Sequence, residues 1–383
     1  MNRILLLTLL IIIHSGLLNG QEKDTLGFIG RFQKQNNLRI EEGKMAITPL
    51  LGPSYTPEMS LTLAGGSMIS FLTNRNDSLI QRSSAPVTLG LSVTGAYFFS
   101  TKLSSYWKQD KFRIFADIWL KDMPDHYWGV GYENAYTVPK SDTTTAYNRN
   151  WWMINPKFLW QFKKNLFLGI SVDANSTTVT EPNIRMQEDP YYMEYGDHNT
   201  NIGAGIILRY DSRDVPVNAW DGYYLDIEAM FYSDALGSDN NYQAYSIDYR
   251  MYKNIIREGS TLAFTAKTRL SYNDVPYAEL SQLGTPFDLR GYTWGQYRDK
   301  SLVYFIGEFR HTFLNSYGEL SNHGMAVWLG TGSIAERFVE FKSWIPSMGF
   351  GYRLQVQPRM NVRFDFGIGR ETSGIYFSLN EAF

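Results

Sequence analysis

The chain has 383 residues, with 36 Lys and Arg against 38 Asp and Glu, and it contains no cysteine. A formal net charge of −2 does not suit a protein that binds nucleic acid or anionic headgroups mainly by electrostatics. The lack of cysteine excludes disulfides, thiolate zinc sites, cysteine nucleophiles and a lipidated cysteine anchor. With 44% apolar residues and a mean hydropathy of −0.29, the chain is too polar for a bundle of membrane helices.

The first twenty residues have the pattern of a secretory signal peptide. Arg3 precedes the apolar run 4–13, and Gly20 stands before the polar Gln21. We therefore predict a signal peptide over residues 1–20, cleaved after Gly20. The alternative is a single membrane anchor, but the run is about ten residues long and a spanning helix needs about twenty.

Residues 21–44 form a short N-terminal segment ahead of the predicted strands. Leu26, Ile29 and Phe32 recur at intervals of three, which favours a short amphipathic helix. Such a helix would plug the periplasmic mouth of a barrel. The alternative is a loose chain terminus.

Apolar and polar residues alternate strictly in several later segments. Val362, Phe364 and Phe366 share one face of a strand, whereas Arg363 and Asp365 share the other. The same period of two recurs over 111–121, 201–209, 223–231 and 261–270. A soluble β-sandwich would also alternate. Strands of about 10–14 residues, however, are long enough to cross a bilayer at a tilt.

Aromatic residues cluster where these strands end, as membrane barrels place them at the two interfaces. Pairs such as Tyr127-Trp128 and Trp151-Trp152 show the pattern. We therefore predict an all-β protein, a transmembrane antiparallel β-barrel of about sixteen strands over residues 45–383, with both termini in the periplasm. The long connections then face outward, and they are 123–149, 179–198, 274–299 and 332–344.

The connection that follows the strand at 260–273 carries Leu289-Arg290-Gly291-Tyr292. This tetrapeptide resembles the [VI]-R-G-[FY] signature of the BamA/TamA/FhaC superfamily of outer-membrane assembly barrels, whose domain is called the bacterial surface antigen domain. The resemblance implies that the loop folds back into a barrel of sixteen strands. A turn similar to one in the family supports it, with Asp211, Arg213, Asp214 and Gly222.

The sequence departs from the family in two ways. Gly330 stands where the family has the aspartate that holds the loop arginine. A buried guanidinium still needs a carboxylate, so Glu308 is the candidate partner and Arg310 its neighbour in the anchoring group. The family also carries periplasmic POTRA repeats, whereas only 22–44 precedes the barrel here. The chain is thus similar to the POTRA-less branch.

The last strand carries Phe377 and Leu379, and the sequence ends at Phe383. We interpret these residues as the apolar face of the final strand and as a signal for the outer-membrane insertion machinery. The polar face of the barrel carries charges of both signs. Two interpretations stay open, a solvated channel wall and a charge network that grips an inserted element.

Enzymatic activity is not expected. His126 and His198 lie beside Asp125 and Asp197, but no G-x-S-x-G motif and no metal-ligand spacing accompanies them. We expect no cofactor, no metal and no nucleic-acid partner. The resemblance implies that the barrel aids insertion or passage of polypeptide or lipid at the outer membrane. Expected partners are outer-membrane lipid, a client polypeptide or lipid, and a second copy or a partner subunit. The alternative is a passive porin-like channel or a structural barrel that acts through a partner.

Overall fold

The structure, a computed structural model, describes residues 28–56, 60–77, 80–92 and 95–383. The predicted signal peptide at 1–20 lies outside the described residues, as do Leu26 and the first part of the segment 21–44.

Helices make up a small part of the fold. The four α-helices of the described chain are α1 (Phe28–Glu41), α2 (Tyr132–Thr137), α3 (Ile184–Glu188) and α4 (Pro190–Tyr195). Short 3-10 turns lie at Asp234–Leu236, Tyr277–Glu279 and Phe338–Glu340. Within the described ranges, none of the helices has the length and apolar character needed to cross a membrane.

Strands dominate the chain from residue 46 onward. The first nine are β1 (Ala46–Thr56), β2 (Ser60–Phe71), β3 (Ser83–Ser84), β4 (Val87–Ser92), β5 (Tyr97–Trp107), β6 (Phe112–His126), β7 (Ala146–Lys163), β8 (Leu166–Glu181) and β9 (His198–Asp211). The other ten are β10 (Gly222–Tyr232), β11 (Tyr242–Asn254), β12 (Ser260–Asn273), β13 (Ser281–Leu283), β14 (Tyr297–Asp299), β15 (Ser301–Leu314), β16 (Leu320–Ala335), β17 (Ile345–Gln357), β18 (Met360–Ile368) and β19 (Ser373–Leu379).

One antiparallel sheet of seventeen strands forms the wall. Because β3 and β4 both lie between β2 and β5, they share one position, and the described wall has sixteen positions. Strands β13 and β14 form a separate hairpin. The prediction of an all-β antiparallel barrel of about sixteen strands is confirmed.

The two faces of the wall separate by chemistry. Outward side chains are apolar and exposed, as at Leu168 and Ile206, whereas inward charges such as Arg209 and Asp226 are buried. One end of the barrel has short connections, such as 164–165 and 358–359, and we call it the short-turn end. The other end carries the long connections that hold α2, α3 and α4, and we call it the long-loop end.

The wall has one seam. In the described residues β1 pairs only with β2, and β19 pairs only with β18. The two strands nevertheless lie side by side, with Cα atoms within 8 Å. The first and last strands thus meet without a backbone ladder between them.

Alternation alone does not fix where the early strands end. Strand β4 ends at Ser92 and β5 begins at Tyr97. Gly95 lies between them with a φ of 87°, a backbone conformation that makes a turn and that glycine adopts without strain. The alternating pattern did not show this turn because apolar residues flank it on both sides.

Candidate functional site: a loop pinned inside the barrel

The connection between β12 and β15, residues 274–300, lies inside the barrel and is called the inner loop here. Leu289, Arg290 and Tyr292 of its signature are each at most 1% exposed. The β13–β14 hairpin gives the loop an internal ladder, with Gln282 opposite Arg298. The loop is therefore a folded element of the lumen.

Asp288 shapes the turn just before the signature. Its Oδ1 accepts hydrogen bonds from the backbone N–H groups of Gly284, at 2.9 Å, and of Leu289, at 2.5 Å. The hydroxyl of Thr285 donates to Oδ2 at 2.6 Å. Burial raises the pKa of the Asp288 carboxyl, although these hydrogen bonds act in the opposite direction. The buried carboxylate thus orders the backbone that presents Arg290.

The guanidinium of Arg290 lies between two carboxylates. Its Nη2 is 2.5 Å from Glu308 Oε2 on β15, and its Nη1 is 2.6 Å from Asp365 Oδ2 on β18. Its planar face lies over the ring of Trp328 on β16, with Cζ 3.5 Å from the ring centroid. Arg290, Glu308 and Asp365 all have side chains that are 0% exposed. The structure thus brings the predicted pair Arg290 and Glu308 together and adds Asp365.

The backbone beside Arg290 is held by two more strands. The hydroxyl of Ser347 on β17 donates to the Arg290 carbonyl at 2.7 Å. The N–H of Gly291 donates to the hydroxyl of Tyr376 on β19 at 2.9 Å, and that hydroxyl donates to the Tyr292 carbonyl at 3.1 Å. With Glu308, Trp328 and Asp365, these contacts fix one short segment to β15, β16, β17, β18 and β19.

A wider charge network surrounds this contact. Glu308 also binds Arg310 at 2.8 Å, and Asp365 binds Arg353 at 2.6 Å and Arg363 at 3.0 Å. Buried charges are stable only when they are paired and hydrogen-bonded. On this part of the wall, the network therefore fits the interpretation of a grip on an inserted element, and Arg310 lies within it.

Glycines make the floor beneath the signature. A Cβ added to Gly367 would lie 2.7 Å from the backbone of Arg290 and Gly291, and one on Gly369 would lie 2.6 Å from the Tyr292 ring. Gly291 itself has a φ of 114°. The loop backbone approaches β18 so closely that only glycine fits. Gly367 on the inner face of β18 and Gly369 just beyond the end of that strand were the signal for this groove, and it was not recognised from the sequence.

The inner loop also reaches the wall formed by β6 and β7. The ring of Trp294 lies 6.0 Å from that of Trp119 on β6 and 6.4 Å from that of Trp151 on β7. Between them, the Lys121 ammonium is 4.5 Å from the Trp294 ring centroid. Arg298 donates to the His126 carbonyl at 3.0 Å. The loop thus spans the lumen from β15–β18 to β6–β7, a contact that no local sequence pattern indicates.

The long connections close over the inner loop. Tyr127 after β6 donates to Asp189 at 2.7 Å, and Tyr191 on α4 donates to the carbonyl of Val275 at 2.6 Å. Gln296 of the inner loop donates to the Ala135 carbonyl on α2 at 3.2 Å. These contacts make a cap at the long-loop end.

The family-like turn that begins at Asp211 and ends at Gly222 lies at the short-turn end, away from Arg290. Asp211 accepts from Arg113 at 2.6 Å and from Arg213 at 2.8 Å. Asp214 pairs with Arg359 of the β17–β18 turn at 2.7 Å. Gly222 has a φ of 109°, and a Cβ there would lie 2.4 Å from a carbonyl oxygen. The 212–221 loop thus reaches the turn after β17.

The C-terminal residues correct one prediction. Phe377 and Leu379 lie on β19, but the strand ends there, and Asn380 follows with a φ of 62°. The chain then turns inward, so that Glu381 accepts from Arg353 at 2.9 Å and the Phe383 carbonyl accepts from Arg310 at 3.0 Å. The prediction that Phe383 lies on the apolar outer face is therefore wrong. Phe383 is buried within the barrel.

The histidines form no catalytic arrangement in the described chain. The His126 ring bonds to Thr145, while Asp125 faces Lys121 and Arg149 at 3.5 Å each. His198 bonds to Thr178. In the described ranges, no group of three or more His, Cys, Asp or Glu could hold a metal ion.

These features define the class of the protein as a transmembrane β-barrel that holds one of its own loops inside the lumen. Residues 79–383 match the Omp85 superfamily domain, so the chain belongs to the Omp85 superfamily of outer-membrane barrels. The predicted resemblance to BamA/TamA-type barrels is confirmed. No curated protein matches the chain significantly.

Solved structures show the same fold at low identity. BamA from Haemophilus ducreyi lacking POTRA domains 1-3 is 13% identical, with a TM-score of 0.53 over 88% of this chain and 69% of that one. CdiB from Acinetobacter baumannii is 13% identical, with a TM-score of 0.51 over 87% of this chain and 59% of that one. CdiB from Escherichia coli is 10% identical, with a TM-score of 0.52 over 87% and 61%.

Proposed function

We propose that this barrel aids the insertion or passage of polypeptide or lipid at the outer membrane, and that the seam between β1 and β19 is its working edge. The observation that carries this proposal is the missing ladder at the seam. A strand edge presents unpaired N–H and C=O groups that can pair with another chain. The seam should therefore open at a lower cost than the laddered positions of the described wall, because among the described residues no backbone hydrogen bonds join β1 to β19.

The inner loop and the cap favour lateral rather than axial passage. The inner loop joins Trp328 on one wall to the Trp119 and Trp151 pair on the other. The cap at the long-loop end covers it. A path straight through the barrel would require that these buried contacts break, whereas a path through the seam leaves them in place.

We propose the usual orientation for such a barrel, with the long-loop end outside the cell and both termini in the periplasm. The long connections carry the helices α2, α3 and α4, and barrels of this kind place short turns on the periplasmic side. A client would then reach the seam from the short-turn end.

A passive channel is the second candidate. It rests on the inner face of β5 and β6, where Lys102 and Asp117 are 4.0 Å apart with side chains 71% and 33% exposed. That part of the inner wall faces solvent. A channel would conduct ions without any help to a client protein, so the two functions can be separated by experiment.

The proposed function predicts that the purified protein, placed in lipid vesicles, speeds the folding of a urea-denatured outer-membrane barrel protein added from outside. The substitution Ile375→Arg puts a charge on the outward face of β19 at the seam. The matched control is Ile170→Arg on β8, since both side chains face outward and are exposed by 56% and 50%. We expect the first variant to lose most of the acceleration and the second to keep it.

The folded and unfolded forms of the client differ in gel mobility, and samples taken over time give the rate of client folding. Equal loss in both variants would mean that the seam is not the working edge. Vesicles that leak ions but give no acceleration would favour the passive channel.

A further inference from the structure

One glutamine joins the two sides of the seam near the short-turn end. Gln357 is the last residue of β17, and the ladder to β18 shifts register between Gln355 and Gln357. The shift leaves the Gln357 amide directed at the first two strands. Its Nε2 donates to Thr48 Oγ1 on β1 at 2.9 Å and to the Met68 carbonyl on β2 at 2.8 Å.

The other half of the amide is also satisfied. The hydroxyl of Ser70 on β2 donates to Gln357 Oε1 at 2.6 Å. Gln357 is 2% exposed and Ser70 is 0% exposed. Hydrogen bonds that are buried away from water are costly to leave unmade. The three bonds therefore hold the end of β17 to the start of the barrel, across a distance of about 300 residues in sequence.

The N-terminal helix takes part in the same network. The Asn36 amide on α1 donates to Thr48 Oγ1 at 2.7 Å and to the Ile47 carbonyl at 3.2 Å. Asn36 is 3% exposed. Helix α1 lies against both β1 and β17. Thr48 thus accepts one hydrogen bond from the helix and one from Gln357.

We propose that Gln357 is a latch that holds the seam closed at the short-turn end, and that α1 reinforces it through Asn36. The latch consists of side-chain bonds, so it can be released while the ladder of β17 with β18 stays intact. Its biological meaning rests on the proposed seam function. The latch itself is a property of the barrel that can be measured without a client.

The test uses the full chain in lipid nanodiscs. Because the protein has no cysteine, introduced cysteines at Leu51 on β1 and Ile375 on β19 can carry one spin label each. Both side chains face outward and are exposed. The distance distribution between the labels is measured by pulsed electron resonance for the otherwise unchanged chain, for Gln357→Ala and for Asn36→Ala.

We expect Gln357→Ala to add a population in which the labels are further apart by about one strand spacing, ~5 Å. Asn36→Ala should give a smaller population of the same kind. The control is Gln161→Ala on β7, a strand with ladders on both sides, and it should leave the distribution unchanged. If Gln357→Ala does not fold, Gln357→Glu, which keeps the shape and removes the donors, takes its place.

An unchanged distribution in the Gln357 and Asn36 variants would overturn the latch. An equal widening in the Gln161 variant would do so too, since it would indicate general loosening. A widened seam without faster client folding would support the latch and contradict the proposed function, so the two can fail separately.

Discussion

Replacing Arg290 with alanine is expected to lower the free energy of unfolding by about 3–5 kcal/mol, because it leaves two buried carboxylates without their shared partner. Glu308 and Asp365 are both buried, so each carboxylate would lose a charge partner in a site removed from solvent. Urea titration of the protein in detergent, followed by tryptophan fluorescence, measures the loss.

A double-mutant cycle shows whether the loss comes from the pair. We expect Arg290→Ala and Glu308→Ala together to cost less than the sum of the two single changes, by about 0.5–3 kcal/mol. The comparison pair is Arg290→Ala with Asp226→Ala, which should be additive because Asp226 binds Arg209 instead. Additive losses for Arg290 and Glu308 would show that their contact contributes nothing.

Replacing Gly367 with alanine is expected to displace the inner loop. The new Cβ would lie 2.7 Å from backbone atoms of Arg290 and Gly291, and the backbone cannot yield as a flexible side chain can. Overpacking of this kind typically costs about 1–3 kcal/mol. The control is Gly307→Ala on β15, where an added Cβ meets nothing within 4 Å.

The reactivity of a single introduced thiol reports the displacement of the inner loop. Leu289 is 0% exposed, so the substitution Leu289→Cys gives a chain with one buried thiol. We expect this thiol to react slowly with a small maleimide in the otherwise unchanged protein and in the Gly307 variant, and at least several-fold faster in the Gly367 variant. Equal rates in all three would mean that the glycine floor does not hold the loop.

The alternation of apolar and polar residues predicted most of the fold, because a strand pattern depends only on residues that are neighbours in sequence. The alternation around Val362 and Arg363 predicted a strand that the structure places at Met360–Ile368. The resemblance of Leu289–Tyr292 to a family signature implied an inward loop. Glu308 was singled out by simple electrostatics, because a buried guanidinium requires a carboxylate.

Other parts of the site depend on how the barrel closes, and a local pattern cannot show that. Asp365 is 75 residues from Arg290 in sequence, and Gln357 is 309 residues from Thr48. Trp294 meets Trp119 only because the loop is long enough to cross the lumen. The inward turn at Asn380 also interrupts the alternation that placed Phe383 on the outer face. Register and closure, rather than composition, decide these contacts.

Arg290 holds the inner loop across the lumen, where the loop obstructs ion flow. Single-channel conductance in a planar lipid bilayer tests this role most directly. We predict small, infrequent currents for the unchanged protein and clearly larger currents for Arg290→Ala, while Arg250→Ala, which breaks a wall pair with Asp248 and not a bond to the Arg290 group, stays near the unchanged level. Large, steady currents of equal size in all three proteins would contradict the claim.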